Sequence, residues 1–223
     1  NGFMQSFGVL HNLSTLSQIS PDGQNTFSII YNDTPHQSIL LQTPDYTIAE
    51  SVDNTEYDAQ HQDRFTVDGN SINVTTQAQM ATYHANMSCM IELGNWFDYL
   101  REQGVYDNTK IIIVSDHAYP LNLHEDLFFK DGEIGHETAE YYFAMLLVKD
   151  FNATGYTVSD EFMTNADVPT LATDGLIENP VNPFTGKPIN NSEKTAHDQY
   201  ISASTQWDVS TNNGTTYAAD KWI

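Results

Sequence analysis

The clearest pattern of apolar and polar positions along the chain runs from residue 77 to residue 103. Apolar side chains recur there every three or four residues, which is the spacing of one face of an α-helix. They are Met80, Tyr83, Met87, Met90, Leu93, Phe97 and Leu100. Gly104 follows as a C-cap, because glycine readily adopts the left-handed conformation that ends many helices. The pattern predicts a long amphipathic helix over 77–103.

Shorter patterns before this helix predict a helix, a strand and a turn. In "SFGVLHNLSTLSQIS", residues 6–20, Phe7 and three leucines lie three apart, which is typical of a short amphipathic helix. "NTFSIIYNDTPH", residues 25–36, is rich in β-formers until Pro35 and predicts a strand, with His36 in the loop beyond it. "VDGNSINVT", residues 67–75, indicates a short hairpin or a surface loop.

Two apolar runs after the long helix predict the strands of a sheet. The first, 110–115, has Ile and Val on both faces and favours a buried parallel strand, and "YYFAMLLV" at 141–148 is the second. A helix near 160–175 would follow, and 200–223 predicts a β-hairpin around an Asn-Asn-Gly turn. The expected fold class is α/β, with a partly parallel sheet flanked by helices and a small C-terminal β-hairpin.

Charge and composition restrict the classes of molecule that the chain is expected to bind. Acids outnumber bases 30 to 8 in the 223 residues, and the net charge of −22 repels phosphate backbones and acidic lipids, so no nucleic acid is expected as a partner. An anionic substrate would need a local cation, and with so few Lys and Arg the obvious one is a metal ion. No apolar run reaches the roughly 20 residues that span a bilayer, so no membrane span is expected in this chain. The single cysteine, Cys89, excludes an internal disulfide.

The first predicted strand ends in an acid and an imidazole. It lies within "TKIIIVSDHAYPL", residues 109–121, and runs into Asp116 and His117. In open α/β sheets, ligands collect beyond the carboxyl ends of the strands. A carboxylate beside a neutral imidazole can coordinate a divalent metal. The residues alone leave a second interpretation open, in which Asp116 caps a turn and His117 packs against a neighbour.

The surrounding segments resemble a known family. "LGNWFDYLREQGVYDNTKIIIVSDHA", residues 93–118, resembles the alkaline phosphatase superfamily in its sulfatase and lipoteichoic-acid-synthase-like (phosphoglycerol transferase) branch, where a helix and a "YDNT" turn lead to a strand ending in Ser-Asp-His. "TNADVPTLATDGL" (164–176) and "FSIIYNDTPHQSILLQTPDY" (27–46) look like its downstream segment and its His-bearing loop. The resemblance covers roughly residues 10–180.

The resemblance implies roles for particular residues. Asp116 and His117 would bind a divalent metal, which could be Mn, Mg, Ca or Zn, and the substrate would be an anionic ester of phosphate or sulfate. His36 would contact the transferred group or donate a proton, although a solvated loop histidine fits as well. His124 and His136 follow the metal strand as surface residues or second-layer partners. The chain departs from the family at Ala118, where the family usually has Gly.

The resemblance also predicts an incomplete catalytic domain. Residues 1–180 correspond to the C-terminal portion of a sulfatase-like α/β domain, and 181–223 to its trailing loop and β-hairpin. The family's nucleophile and first metal-binding acid lie upstream, in an N-terminal half that this sequence does not include. Cys89 lies in a predicted helix without the context for formylglycine, and a small buried residue is expected there.

Two function classes remain open from the sequence. The first is the C-terminal portion of a metal-dependent hydrolase or phosphotransferase at the bacterial cell surface, tethered by upstream transmembrane segments, with the isolated chain inactive. The alternative is a non-catalytic binding or assembly module derived from that fold. A fragment without half of its sheet would expose a strand edge, which favours a homo-oligomer.

Overall fold

The computed structural model describes residues 2–129, 138–200, 202–203, 215–216 and 221–222. The chain forms two compact units, Asn1–Thr109 and Lys110–Ile223, each with its own secondary structure. The boundary predicted at 180/181 falls inside the second unit. The division into 1–180 and 181–223 rests on the resemblance to a larger domain, and it stays a prediction.

The first unit is mainly helical. Its elements, in chain order, are α1 (Gly2–His11), α2 (Leu13–Leu16), α3 (Thr55–Gln60), the strands β1 (Thr66–Val67) and β2 (Asn70–Ser71), and α4 (Gln77–Glu102), with a 3₁₀ turn at Gln62–Phe65. The first predicted helix is confirmed, although it begins earlier than expected and breaks at Asn12. The predicted turn at 67–75 is a hairpin, because β1 and β2 pair antiparallel and both central turn residues, Asp68 and Gly69, have positive φ.

The core of the first unit lies between α4 and the N-terminal helices. Phe3 of α1 packs with Leu41, Tyr46 and Ala85 in one buried cluster. A second cluster joins Leu10 and Leu13 to Cys89 of α4. The spacing of three and four residues in α1, α2 and α4 therefore marks the faces that bury apolar area against each other.

Residues 27–31 do not form the predicted strand. Among the described residues this segment pairs with no β-ladder, and Phe27, Ile29 and Tyr31 are each at least 75% exposed. A run of β-formers has only a preference for strand, because strand stability comes from pairing and packing that the local sequence does not supply. The strand prediction was wrong. The turn that carries His36 is confirmed beyond it.

The second unit contains two small two-stranded sheets and short helices among its described residues. Its elements are β3 (Ile111–Val114), β4 (Leu146–Lys149), α5 (Val168–Thr173), α6 (Asn191–Thr195), β5 (Ser202–Ala203) and β6 (Lys221–Trp222), with 3₁₀ turns at Glu125–Leu127, Ala139–Tyr142 and Asn165–Asp167. β5 and β6 pair antiparallel. That pairing agrees with the predicted C-terminal hairpin, whose Asn-Asn-Gly turn at 212–214 lies outside the described residues.

The prediction of a parallel pair is corrected by the register of β3 and β4. Ile111 pairs with Lys149 and Val114 with Leu146, which makes the ladder antiparallel. The strands are also less buried than expected, because Val114, Leu147 and Val148 are 39–47% exposed. A continuous apolar run indicates a strand but does not fix the direction of its partner. The observed class is a mixed α/β one with small antiparallel sheets among the described residues.

Candidate metal centre

The loop that carries Asp116 and His117 is held at both ends by hydrogen bonds. At the end of β3, the Ser115 backbone N–H donates to the carbonyl of Met145 (3.0 Å), and the Met145 N–H donates back to the Ser115 hydroxyl oxygen (2.8 Å). Three residues later, the Ala118 N–H donates to the carbonyl of Tyr141 (3.0 Å). The backbone at 116–117 therefore bends between two fixed points, Ser115 and Ala118.

Asp116 and His117 face each other across this bend. One carboxylate oxygen of Asp116, Oδ1, accepts the His117 backbone N–H at 3.0 Å, and the other, Oδ2, lies 3.7 Å from His117 Nε2. His117 Nδ1 lies 2.9 Å from the Ala118 carbonyl oxygen. Because a carbonyl only accepts, Nδ1 carries a proton that it donates to Ala118, and Nε2 is the ring nitrogen that lies beside the carboxylate.

Tyr141 fixes the orientation of the imidazole. Its ring stacks on His117 with centroids 4.5 Å apart and planes 19° apart. The His117 side chain is 35% exposed and that of Asp116 is 81% exposed, so the pair is open to solvent on one side. Metal-binding histidines usually donate their other ring N–H to a carboxylate, a backbone carbonyl or water, as His117 Nδ1 does to Ala118.

Two further residues support the loop and could not be singled out from the sequence. The Asn165 side-chain amide donates to the carbonyls of Ser115 (3.0 Å) and Asp116 (3.2 Å), from a position about 50 residues downstream. Asn165 lies inside "TNADVPTLATDGL", but nothing in the local sequence distinguishes it from the other polar residues there. Tyr141 was expected only as a strand residue. Contacts between such distant positions leave no periodic signal.

Glu140 organises the segment that follows the candidate centre. Its carboxylate accepts backbone N–H groups from Asn122 (2.8 Å), Leu123 (2.8 Å) and His124 (2.9 Å). Three backbone donors satisfy a carboxylate that is only 9% exposed. The next residue is Tyr141, so the carboxylate that anchors 122–124 is adjacent in the chain to the ring that stacks on His117.

The donor set fits part of a metal shell. Two ligands about 2.1 Å from a tetrahedral ion are about 3.4 Å apart, close to the 3.7 Å between Asp116 Oδ2 and His117 Nε2. A carboxylate oxygen and a neutral imidazole are also ligands that divalent ions share. Among the described residues, however, no group of three or more His, Cys, Asp or Glu side chains could hold a metal ion. As a metal site, the pair would therefore supply two ligands of a shell that needs more.

Ala118, the departure from the resembled family, is compatible with this geometry. Residues with positive φ in the described chain include Asn122 but not Ala118. A side chain at 118 therefore adopts an ordinary backbone conformation, and the loop does not require glycine there. Ala118 is therefore compatible with the hydrogen bonds of Asp116 and His117.

The remaining candidate residues lie elsewhere. His36 is exposed in a turn of the first unit, where its backbone N–H donates to Asp33, so its substrate role stays a prediction. His124 is exposed. His136 lies outside the described residues. Cys89 is 4% exposed on α4, and burial raises the pKa of its thiol to about 12. The thiol therefore stays protonated, and Cys89 is the small buried residue that the sequence predicted.

Comparison with known proteins does not extend this picture. Neither the protein-family models, nor the curated proteins, nor the solved structures give a match to the chain. Within the described part of the chain, no helix combines the length and apolar character needed to cross a bilayer.

Proposed function

We propose that the chain contributes two metal ligands, Asp116 and His117, to a metal-dependent hydrolase or transferase that acts on phosphate or sulfate esters. The observation that carries the proposal is the distance of 3.7 Å between Asp116 Oδ2 and His117 Nε2. With the Nδ1 proton donated to the Ala118 carbonyl, both atoms are acceptors when the ring is neutral. Two acceptors in this position repel unless a cation or a proton lies between them.

The net charge of the chain favours a mechanism in which a metal ion binds the anionic ester. With a net charge of −22, the protein repels an anionic ester at long range. A bound divalent ion would polarise the ester oxygen and neutralise charge that develops on it. Asp116 and His117 would bind that ion, and Tyr141 and Asn165 would keep the two ligands in register. The resemblance assigns the nucleophile to a separate upstream segment, so turnover by these residues alone is not part of the proposal.

Calorimetric titration of the 223-residue chain tests the proposal. Manganese, magnesium, calcium and zinc ions are each titrated into the wild type, Asp116→Asn and His117→Gln. At least one ion should bind at one site per chain, and either substitution should weaken binding about tenfold or more, since each removes a ligand while keeping its shape. His197→Gln and Asp160→Asn, exposed residues of the second unit, are matched controls that should bind like wild type.

The alternative is a non-catalytic binding module that retains this α/β arrangement. The observation in its favour is that no third His, Cys, Asp or Glu joins the pair among the described residues. If none of the four ions binds, or if the two variants bind as the wild type does, the pair is an ordinary turn and the metal proposal is wrong. A homo-oligomer remains part of this alternative, and sedimentation velocity at several concentrations measures it.

A further inference from the structure

A contiguous run of exposed apolar side chains lies at residues 27–31 of the first unit. Phe27 is 75% exposed, Ile29 83% and Tyr31 80%, while Ile30 is 51% exposed. Single exposed apolar residues are ordinary on protein surfaces, but a contiguous apolar patch is typical of an interaction surface. These five residues, the 27–31 segment, are therefore a candidate interface.

The chain on either side of the 27–31 segment is anchored to the helices of the first unit. Upstream, the Ser17 hydroxyl oxygen accepts the indole N–H of Trp96, which lies on α4, at 2.8 Å. Directly downstream, the Asn32 side-chain amide donates to the carbonyl of Ser6 on α1 at 2.8 Å, and Thr34 is fully buried. The segment is thus held next to a fixed point, which lowers the conformational entropy that is lost when a partner pairs with it.

The sequence of the 27–31 segment is that of a β-strand. Residues 24–32 are rich in β-formers and contain no charged residue, proline or glycine. Ile30 is the least exposed of the four apolar residues, and side chains alternate along a strand, so Phe27, Ile29 and Tyr31 share one face when the segment is extended. Within the described part of the chain, no backbone hydrogen bond involves residues 27–30. Their donors and acceptors can therefore form a ladder with another strand.

Two copies of this segment are self-complementary in one antiparallel register. With Ile29 of one copy opposite Ile29 of the other, Phe27 lies opposite Tyr31, and the three exposed side chains of each copy form one apolar face. A shift of two residues puts either Phe27 opposite Asp33 or Tyr31 opposite Asn25, and an apolar contact is lost. A shift of one residue puts the apolar side chains on opposite faces.

The area and the charge of the segment also fit a second copy. An aromatic side chain buries about 150–250 Å², so the four apolar residues together offer roughly 500 Å² per chain. Two copies would bury roughly 1,000 Å², which is the low end for a specific interface. Chains with a net charge of −22 repel each other, but this register brings together uncharged residues and places Asp33 opposite Asn25.

We propose that the 27–31 segment pairs with the same segment of a second copy of this chain, as an antiparallel ladder centred on Ile29. Two-fold symmetry closes the pair, because the same surface is used by both copies. The interface lies in the first unit and includes neither Asp116 nor His117. The proposal therefore stands or falls independently of the metal proposal.

Sedimentation velocity on the 223-residue chain, with a chelator present, tests whether the pair forms. From about 5 µM to about 500 µM, the chain should pass from monomer to dimer, as expected for an interface of this size. Because screening weakens the repulsion between two anionic chains, the dimer fraction should be larger in about 500 mM than in about 50 mM sodium chloride. A monomer at every concentration, or growth beyond a dimer, would overturn the proposal.

Two aspartate variants locate the interface. Ile29→Asp places two like charges opposite each other at the centre of the pair, so the dissociation constant should rise about tenfold or more. Ile29 is mostly exposed, so the variant should keep the circular dichroism spectrum of the wild type. Val158→Asp is the matched control in the second unit, at a residue that is 76% exposed, and should dimerise like wild type. Equal dimerisation by the two variants would contradict the interface.

A cysteine at the centre of the pair tests the register. Opposite residues of an antiparallel pair have Cα atoms about 4.5–5.5 Å apart, which a disulfide can span. Ile29→Cys should therefore give a covalent dimer under mild oxidation. Cys89 is buried and its thiol stays protonated, so it should not compete. If Val158→Cys were to cross-link as fast as Ile29→Cys, the register would be wrong.

Discussion

Asp167 shows how a single buried carboxylate organises the second unit. It is 1% exposed and accepts hydrogen bonds from the Thr164 N–H (2.9 Å), the Asn182 amide (3.1 Å) and Lys194 Nζ (2.6 Å). Burial raises the pKa of its carboxyl, but these three donors outweigh burial, and the pKa lies below its ordinary value of 3.8. One side chain therefore joins three segments that are distant in sequence.

Removing the charge of Asp167 should destabilise the protein. Asp167→Asn keeps the shape but removes the charge that pairs with Lys194 Nζ, and we expect a loss of about 2–3 kcal/mol in the free energy of unfolding at neutral pH. Asp98→Asn, which breaks the exposed pair with Arg101, is the control and should cost at most about 0.5 kcal/mol. Urea denaturation measures both.

The same pair predicts a pH dependence with a definite sign. The pKa of Asp167 is lower in the folded than in the unfolded state, so its contribution is complete above the unfolded value of about 3.9 and is lost as the pH falls through the folded value. The difference between wild type and Asp167→Asn should therefore narrow below about pH 4. A difference that stays constant into that acidic range would contradict the assignment.

At the candidate centre, the adjacent residues were accessible to prediction and the distant ones were not. Asp116 and His117 are neighbours at a strand end, so the local sequence was enough to propose them. Tyr141 and Asn165 reach the loop from positions about 25 and 50 residues away. Their side chains act through ring stacking and hydrogen bonds to carbonyls, and such contacts depend on tertiary packing alone.

α4 is the element whose sequence determines its structure most completely. Its N-terminus has a capping box in which Thr76 and Gln79 satisfy each other's backbone N–H groups. At its C-terminus, Gly104 has a φ of 70°, its N–H donates to Arg101 (2.9 Å), and the N–H of Val105 donates to Leu100 (3.0 Å). These two bonds form a Schellman motif, so local signals fix both ends of the helix.

Two glycines of this region should respond in opposite directions to the same substitution. Gly104→Ala places a Cβ in the left-handed conformation and should cost about 1 kcal/mol. Gly94→Ala lies inside α4, where no neighbouring group comes within 4 Å of the position that a Cβ would take, and it should stabilise by about 0.5–1 kcal/mol. Thermal or urea unfolding gives both values. Two changes of the same sign would show that the helix ends elsewhere.

β3 shows where element prediction from sequence fails. Its four apolar residues were sufficient to predict a strand, and a strand is present at Ile111–Val114. The direction of its partner depends on the path of the intervening chain, which brings Leu146–Lys149 alongside in the opposite sense. The N-terminal run at 27–31 has a similar composition but remains unpaired among the described residues. Pairing, which the local sequence does not encode, separates the two cases.

For the whole molecule, the dominant physical property is its charge. The net charge is −22 at pH 7, and the sequence pI is about 4.3. Self-repulsion of this size opposes a compact state, favours solubility and resists association with anionic partners. Some of the few basic residues donate hydrogen bonds within the fold. Lys110 and Lys194 both donate to groups in the second unit.

Added salt should therefore stabilise the protein. Raising the ionic strength from about 10 mM to about 150 mM shortens the screening length from about 30 Å to about 8 Å. If screening contributes about 1 kcal/mol, the Tm should rise by about 2–4 °C. The measurement is differential scanning calorimetry in sodium chloride with a chelator present, and the effect should disappear near the pI. A Tm that is flat or falls with salt at neutral pH would contradict this account.

The central claim is that Asp116 and His117 bind a metal together, and the nitrogen resonances of His117 test it most directly. Zinc is titrated into the isotope-labelled chain while both ring nitrogens are observed. We predict that the Nε2 resonance shifts saturably and that Nδ1 keeps the proton it donates to Ala118. Asp116→Asn should weaken that shift. A His117 Nε2 resonance that does not respond to zinc, or responds equally in Asp116→Asn, would contradict the account.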